Sequence, residues 1–362
     1  MALEAPLADG IEALRKELTD HNMQGFWDIG RELDEFAFKE PRGKFQPYIW
    51  KWDDISRPLG RTSELVGLGG HGETARRTLR LVNPALRQSS NSMTHTLHTS
   101  IQLVNPGEVA EAHRHTMGAI RFVVEGHDTF TTVEDEPFPM EPGDLILTPQ
   151  WTWHDHENKG SEPMVFVNGV DSPLMQYFGC WFTEPFPDKQ QVWTKPVDFT
   201  RKHLGLLRPA GRHDPQDVAF RYPYSEARAE LDLLADGPGD PHDGVLLEYV
   251  NPVTGGHTLP TMSCLLQMLR PGERTQAHRH TSSGMFHVVE GRGVTVAGDV
   301  RLEWERGDCF AVPNWTPHWH ENLSADGPAI LFIVSDRPQL EAFGLHREMS
   351  EEEHAAQLAA RR

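Results

Sequence analysis

The sequence predicts a mainly all-β protein: two tandem antiparallel β-sheet domains of sandwich or barrel type, with helices at the N-terminus and in the linker. Three observations carry this. A block of 25 residues, Gln102–Gly126, aligns without a gap on Gln267–Gly291, and about half the positions are identical. A second block, Gly143–Asn158, aligns on Gly307–Asn322 after a comparable interval. Around both lie short runs rich in Val, Ile, Phe and Thr, bounded by Pro-Gly and Gly-Asp pairs. Two long copies mark a duplicated domain; a solenoid needs three or more short units.

In chain order, residues 11–35 mix apolar and charged positions at roughly helical spacing, broken by Gly25 and Gly30, and read as one or two helices. From Leu97 the runs SIQLV, IRFVVEG, TFTTVE, DLILTP and MVFVNGV read as strands. A Pro- and Gly-rich connection follows, with one helix predicted over Ser225–Ala235, Ser225 as its N-cap and Gly237-Pro238 as its stop. Strands resume with CLLQML, MFHVVEG, VTVAG, CFAVP and AILFIV, and SEEEHAAQLAARR reads as a solvated helix. The expected boundaries are an arm at 1–96, a catalytic domain at 97–183, a linker at 184–245, a second domain at 246–347 and a tail at 348–362.

The length of 362 residues suits two domains with full cores. A net charge of −19, spread along the chain, argues against nucleic acid as a partner, because phosphate binding needs a basic face. No run approaches the roughly 20 apolar residues of a membrane helix, and the N-terminus carries no charged-then-apolar signal pattern. The 3 cysteines have no CxxC spacing, so neither a disulfide framework nor a thiolate metal site is expected. A cytoplasmic enzyme without membrane contact fits these features. The unusual figure is 20 histidines, several in close pairs.

Side chains alternate along a strand, so His113 and His115 share a face, as do His278 and His280. Each pair offers two imidazoles to one metal, and His154 and His318 stand in matching places to supply a third. Three imidazoles without thiolate suit Fe(II), Zn(II), Ni(II) or Mn(II) and leave coordination positions open. Arg121, in the otherwise apolar run RFVV, lies six residues beyond His115. In an uninterrupted strand it shares the inward face, where a guanidinium could grip a carboxylate in bidentate fashion.

These blocks resemble the cupin family. Its first motif, G-x5-H-x-H with a later glycine, is met by Gly107, His113, His115 and Gly126, and again by Gly272, His278, His280 and Gly291. Its second is met by Gly143, Pro149, His154 and Asn158, then by Gly307, Pro313, His318 and Asn322. Trp151 and Trp315 replace the motif glycine, and Ala119 and Gly284 replace the family's glutamate ligand. AHRHTMGAIRFVVEG and LTPQWTWHDHEN are similar to the gentisate/salicylate 1,2-dioxygenases and 1-hydroxy-2-naphthoate dioxygenase, over about Trp50 to Arg347.

The resemblance implies a bicupin of two jelly-roll barrels, commonly a homotetramer. It implies one Fe(II) in the catalytic half, held by His113, His115 and His154, with a second metal site offered by His278, His280 and His318. The implied reaction opens a 2-hydroxybenzoate between C1 and C2 with O2, both oxygen atoms entering the product. Arg121 would bind the substrate carboxylate. Arg76 and Arg77 match a family segment that reaches substrate, although three arginines in five residues could equally be a solvated stretch. Gln102 matches a pocket glutamine, yet Gln267 repeats it, so a structural role stays open. His156 could hydrogen-bond substrate or oxygen, or be a satisfied rim histidine, and Trp151 could wall the aromatic ring.

Two departures bear on specificity. Asn168 stands where relatives carry an aspartate, and His98 where they often carry an aromatic residue. An amide can donate where a carboxylate can only accept. Salicylate itself, or salicylates with a nitro or halogen group at position 5, are therefore expected over gentisate. The halves also differ: Phe286 occupies the place of Arg121, so turnover is expected in the first half alone. The alternatives are a metal-dependent isomerase or decarboxylase, which the missing glutamates disfavour, and a non-catalytic small-ligand-binding bicupin.

Overall fold

The computed structural model describes residues 5–28, 40–67, 76–203 and 218–360. The chain divides into two units, Met1–Arg42 and Gly43–Arg362. In the first, a helix spans Ala5–Asp20, and Arg15 Nε donates to Asp28 Oδ1 at 2.9 Å, folding the following turn back on it. Residues 29–35 of the expected helical segment lie outside the described residues.

The second unit holds both repeats, and every strand pairing within its sheets is antiparallel. Among the described residues each repeat builds one six-stranded and one five-stranded sheet. In the first repeat the larger sheet runs, edge to edge, Phe220–Tyr222, Leu145–Thr148, Ala119–Glu125, Met164–Val170, His98–Val104 and Arg77–Leu81. Its partner sheet contains Val109–His115 and His154–Asn158 side by side. The second repeat follows the same order, with Gly284–Glu290, Ala329–Ser335 and Ser263–Leu269 at the centre of its larger sheet.

Strand alternation divides the larger sheets between two cores. Ile101, Phe122, Val165 and Val167 pack with Cys264, Leu266, Phe332 and Val334 in one apolar core shared by both repeats. Phe122 stacks on Phe332 there, with ring centroids 4.1 Å apart. The opposite faces turn inward, burying Val123, Ile146 and Phe166 in one repeat and Val288, Phe310 and Leu331 in the other.

The arm and the linker prove to be parts of the sheets. Strand Phe220–Tyr222, from the linker, closes an edge of the first repeat against Leu145–Leu147. Strand Tyr48–Trp50, from the arm, closes the matching edge of the second repeat against Cys309–Ala311. A helix follows each, Tyr224–Leu234 and Trp52–Leu65. The first begins at Tyr224 after Pro223, not with Ser225 as cap: Asp144 Oδ1 accepts the Tyr224 N–H at 2.9 Å. Asp308 Oδ1 accepts the Trp52 N–H at 2.7 Å in the same way. Gly143 and Gly307, at φ +88° and +92°, make this approach possible, since a Cβ there would lie 2.4 Å from Tyr224 and 2.7 Å from Trp52.

Two buried carboxylates lock the repeats reciprocally. Asp171 accepts from Gly118 N at 3.0 Å and from the Thr261 hydroxyl at 2.6 Å. Asp336 accepts from Ser283 N at 2.7 Å and from the Thr96 hydroxyl at 2.5 Å. Burial pushes both carboxyls up, from 3.8 to about 6. A folded-state value above the unfolded one favours folding most below the unfolded value, and that contribution is lost as pH rises through 6. Relative to the Asp171→Asn/Asp336→Asn double variant, the wild-type unfolding midpoint is therefore expected to fall between about pH 4.5 and 7, as read by thermal melts at each pH.

Candidate active site

The first triad sits on the five-stranded sheet of the first repeat. His113 and His115 share one strand, and His154 lies opposite His113 on its neighbour. All three rings are buried, and their ligand atoms lie within 4.8 Å of one another. Each Nδ1 faces a main-chain carbonyl: Glu111 O at 3.0 Å, Met117 O at 2.9 Å and Thr152 O at 3.0 Å. A carbonyl can only accept, so the ring proton belongs on Nδ1 and the Nε2 lone pair is left for a metal. The Nε2 atoms of His113 and His154 are buried with no hydrogen-bond partner. Such orphaned donor atoms fit a metal ion and would otherwise cost free energy.

Burial holds all three imidazoles neutral. It keeps His113 and His154 well below the ordinary histidine value and takes His115 to about 3, with neighbouring arginines and histidines adding to the effect. Arg76 lies beside the triad, a guanidinium nitrogen 2.8 Å from His113 Nδ1. With the Nδ1 proton committed to Glu111, the arginine supplies charge there more than a hydrogen bond.

A cavity of about 510 Å³ lies between His115 of the triad and the larger sheet. Arg121 reaches it by a different route from the one expected. Its strand is separate from that of His115, and the two belong to facing sheets. The register places Arg121 beside Asn168, Asn168 beside Ser100, and Ser100 beside Arg80. These four form one polar row across the sheet. Gln102 and Thr78 belong to the next row on one side, and His98, Val170 and Ala119 to the next on the other. All of them line the cavity. Among the described residues the lining carries Arg76, Arg80 and Arg121 and no carboxylate, in a chain of net charge −19. The cavity is thus a local attractor for anions.

Buried, unpartnered nitrogens add to the signal. Gln102 Nε2 and His98 Nε2 have no partner, while His98 Nδ1 lies 3.1 Å from the Ser172 hydroxyl. Burial and then Arg80 lower His98 to about 4, so it is a neutral donor or acceptor. Asn168 Nδ2 approaches the Ser100 hydroxyl at 3.5 Å.

Three expected contacts lie elsewhere. The Arg77 guanidinium is buried in an ion pair with Glu108 and donates to Val66 O at 2.7 Å, because successive strand residues face opposite ways. Trp151 packs on Phe182, centroids 4.8 Å apart, under the Arg114 guanidinium, so it does not wall the cavity. It takes a left-handed φ of +65°, and its N–H donates to His115 O at 2.8 Å; Trp315, at +57°, donates likewise to His280 O. His156 is buried behind His154, with ring centroids 6.1 Å apart, its Nδ1 2.8 Å from the Thr131 hydroxyl and its Nε2 unpartnered. The pair recurs as Thr295 and His320, so it also belongs to the frame of both repeats. Sequence reasoning missed Thr78, Arg80, Ser100, Met117 and Trp181 in the lining. Alternation from Arg76 through Thr78 to Arg80 is the signal that could have found two of them.

The second repeat has the same frame and a different interior. His278, His280 and His318 form a second cluster within 4.8 Å. The row matching Arg121–Asn168–Ser100–Arg80 reads Phe286–Ile333–Leu265–Glu248. Its cavity measures about 90 Å³.

The cupin-domain family model matches residues 100–170 and 265–335, the two repeats. The chain is 41% identical over 347 residues to a 5-aminosalicylate 1,2-dioxygenase from Comamonas sp., covering 94% of this chain and 90% of that one. It is 40% identical to a 1-hydroxy-2-naphthoate 1,2-dioxygenase from Nocardioides sp., covering 97% and 90%. The crystal structure of a salicylate 1,2-dioxygenase from Pseudaminobacter salicylatoxidans superposes with a TM-score of 0.85 at 31% identity, covering 97% of this chain and 100% of that one. That enzyme has also been solved as an adduct with gentisate. Two histidine triads in two cupin repeats, and such similarity along nearly the whole length, lead to one conclusion: the chain belongs to the cupin family of ring-cleaving 1,2-dioxygenases that includes the salicylate, gentisate and 1-hydroxy-2-naphthoate enzymes.

Proposed function

We propose that the first repeat holds Fe(II) on His113, His115 and His154 and opens a 2-hydroxybenzoate between C1 and C2. One O2 is consumed per ring, and both atoms enter the 2-oxo dicarboxylic acid formed. The observation that carries this reading is the polar row Arg121–Asn168–Ser100–Arg80, which faces the triad in the first repeat and is replaced in the second. When bound, the iron supplies a Lewis-acidic template for the substrate's carboxylate and phenolate together with electron transfer to O2.

The protein's own share is recognition and orientation. Arg121 offers a fork of N–H donors to the carboxylate, and its charge is strengthened in a buried setting. Arg76 adds positive charge beside His113, which favours a dianionic substrate. The Gln102 nitrogen without a partner, which lines the cavity, holds the substrate or oxygen by a hydrogen bond. Neutral His98, Ser100 and Asn168 line the cavity along the neighbouring strands and set which ring substituent is accepted.

At that end Asn168 can donate, so salicylate and its 5-nitro and 5-chloro derivatives are preferred to gentisate. Oxygen uptake by Fe(II)-loaded protein over this panel tests both levels. The expected result is uptake with ring opening and gentisate ranked below the acceptor-bearing salicylates. Asn168→Asp is expected to shift the ratio of kcat/KM toward gentisate by about tenfold, the size of one hydrogen-bond preference. Gentisate used a hundredfold better than the nitro or chloro compounds contradicts the ranking, and no uptake with any member contradicts the reaction.

The same reading makes the enzyme a cytoplasmic homotetramer. Its three cysteines are unpaired, as in a reducing compartment. Tyr177, Phe178, Trp181 and Phe182 form an exposed aromatic run suited to self-association.

A further inference from the structure

The polar row that begins at Arg121 ends on a second arginine, Arg80. It stands three strands away, on the edge strand Arg77–Leu81, and lines the same cavity. The residue is exposed, which puts it at the cavity mouth. Among the described residues its guanidinium has no hydrogen bond or ion pair. That departs from the habit of this chain, in which Arg77, Arg114 and Arg221 each bind a carboxylate.

The groups beside Arg80 are donors. Burial and then the Arg80 charge hold His98, in the next row, neutral. Its Nδ1 faces the Ser172 hydroxyl at 3.1 Å, and its buried Nε2 has no partner. When that hydroxyl donates to Nδ1, the ring proton is left on Nε2 as a free donor. Ser100 Oγ accepts from Asn168 Nδ2 at 3.5 Å, which leaves the hydroxyl proton to be donated. A guanidinium, an imidazole N–H and a hydroxyl thus gather at one end of a cavity with no carboxylate among its described lining residues. In the second repeat the place of Arg80 is taken by Glu248.

The span of the row fits one aromatic ring. Neighbouring strands stand about 4.8 Å apart, so three spacings separate the Cα atoms of Arg121 and Arg80 by about 14 Å. In a paired fork the guanidinium carbon stands about 4 Å from the carboxylate carbon. With one such pair at each end, and both side chains rising from one face, about 6 Å remain between the two acid carbons. Two acidic groups on opposite sides of a benzene ring are separated by about that distance.

We infer, on the basis of the reaction proposed for the first repeat, that Arg80, with His98 and Ser100, receives a second anionic group on the substrate ring. The substrate class is then a 2-hydroxybenzoate with a further carboxylate or sulfonate at C4 or C5, the edge away from the iron-binding groups. Arg121 holds the carboxylate at C1, and Arg80 holds the far one.

Anaerobic titration of the full-length, Fe(II)-loaded protein with 4- and 5-carboxysalicylate and their nitro counterparts tests the subsite. A nitro group has the shape of a carboxylate without its charge. Arg80→Gln is expected to weaken binding of the better carboxylate isomer at least tenfold more than binding of its nitro counterpart, the size of one charge-assisted hydrogen bond. Wild type is expected to consume O2 with that isomer, and binding without uptake overturns the substrate class. Equal weakening of the carboxylate and nitro compounds in Arg80→Gln overturns the role of Arg80. So does rejection of both carboxylate isomers by wild-type protein that binds salicylate. Failure to bind salicylate itself overturns the reaction proposed for the first repeat, and the subsite with it.

Discussion

Replacing His154 by alanine is expected to lower turnover of a 2-hydroxybenzoate by about 1,000-fold or more, the equivalent of about 4 kcal/mol of barrier. The ring is wholly buried, its Nδ1 is committed to Thr152 O and its Nε2 has no other partner. Its loss leaves two ligands for the ion. His278→Ala makes the matching change in the second repeat, and turnover is expected to fall less than tenfold. The pair is informative because both variants remove one imidazole from one anchored triad. Steady-state oxygen consumption, with circular dichroism to confirm folding, reads the difference. A larger loss in His278→Ala than in His154→Ala reverses the assignment of the repeats.

Arg121→Met is the second large effect. The guanidinium is among the largest fully buried side chains and faces a cavity lined, among the described residues, by no carboxylate. Truncating one partner of a buried, hydrogen-bonded charge pair costs about 2–5 kcal/mol. A fall of about 100-fold in kcat/KM is expected. If the arginine grips the carboxylate equally in the ground and transition states, the loss appears mainly in KM. Arg121→Lys keeps the charge and loses the fork, so it is expected to recover only part of the activity. Wild-type kcat/KM in Arg121→Met contradicts the role.

Much of the site was legible because its chemistry is local. His113, His115 and His154 follow from strand alternation and a repeated frame, and the structure places them together. Arg121 was found for a reason that the structure replaces. Alternation was carried through a turn, yet the facing sheet returns the arginine to the same cavity. Arg77 shows the limit of the same logic in reverse. Of two adjacent arginines only Arg76 lines the cavity, and which one does so depends on the register of a strand that composition did not reveal.

The exchanged edges were hidden for a different reason. Tyr48–Trp50 and Phe220–Tyr222 are three residues each, too short for periodicity, and their partners are distant in sequence. The trace they leave is an aromatic residue on each side of one position, Trp50 and Trp52 in the arm, Tyr222 and Tyr224 in the linker. The acidic setting of the second triad was equally unreadable, since Asp243 and Glu348 lie outside the repeated blocks and only tertiary contact brings them to His278.

Two repeats with matching histidine triads thus share one frame, and the proposed function assigns substrate to the first alone. Anaerobic calorimetric titration of the Fe(II)-loaded protein with salicylate decides whether this is so. One salicylate bound per chain is expected, with binding lost in Arg121→Met. Two bound per chain, or one that survives Arg121→Met, would refute the division between the repeats.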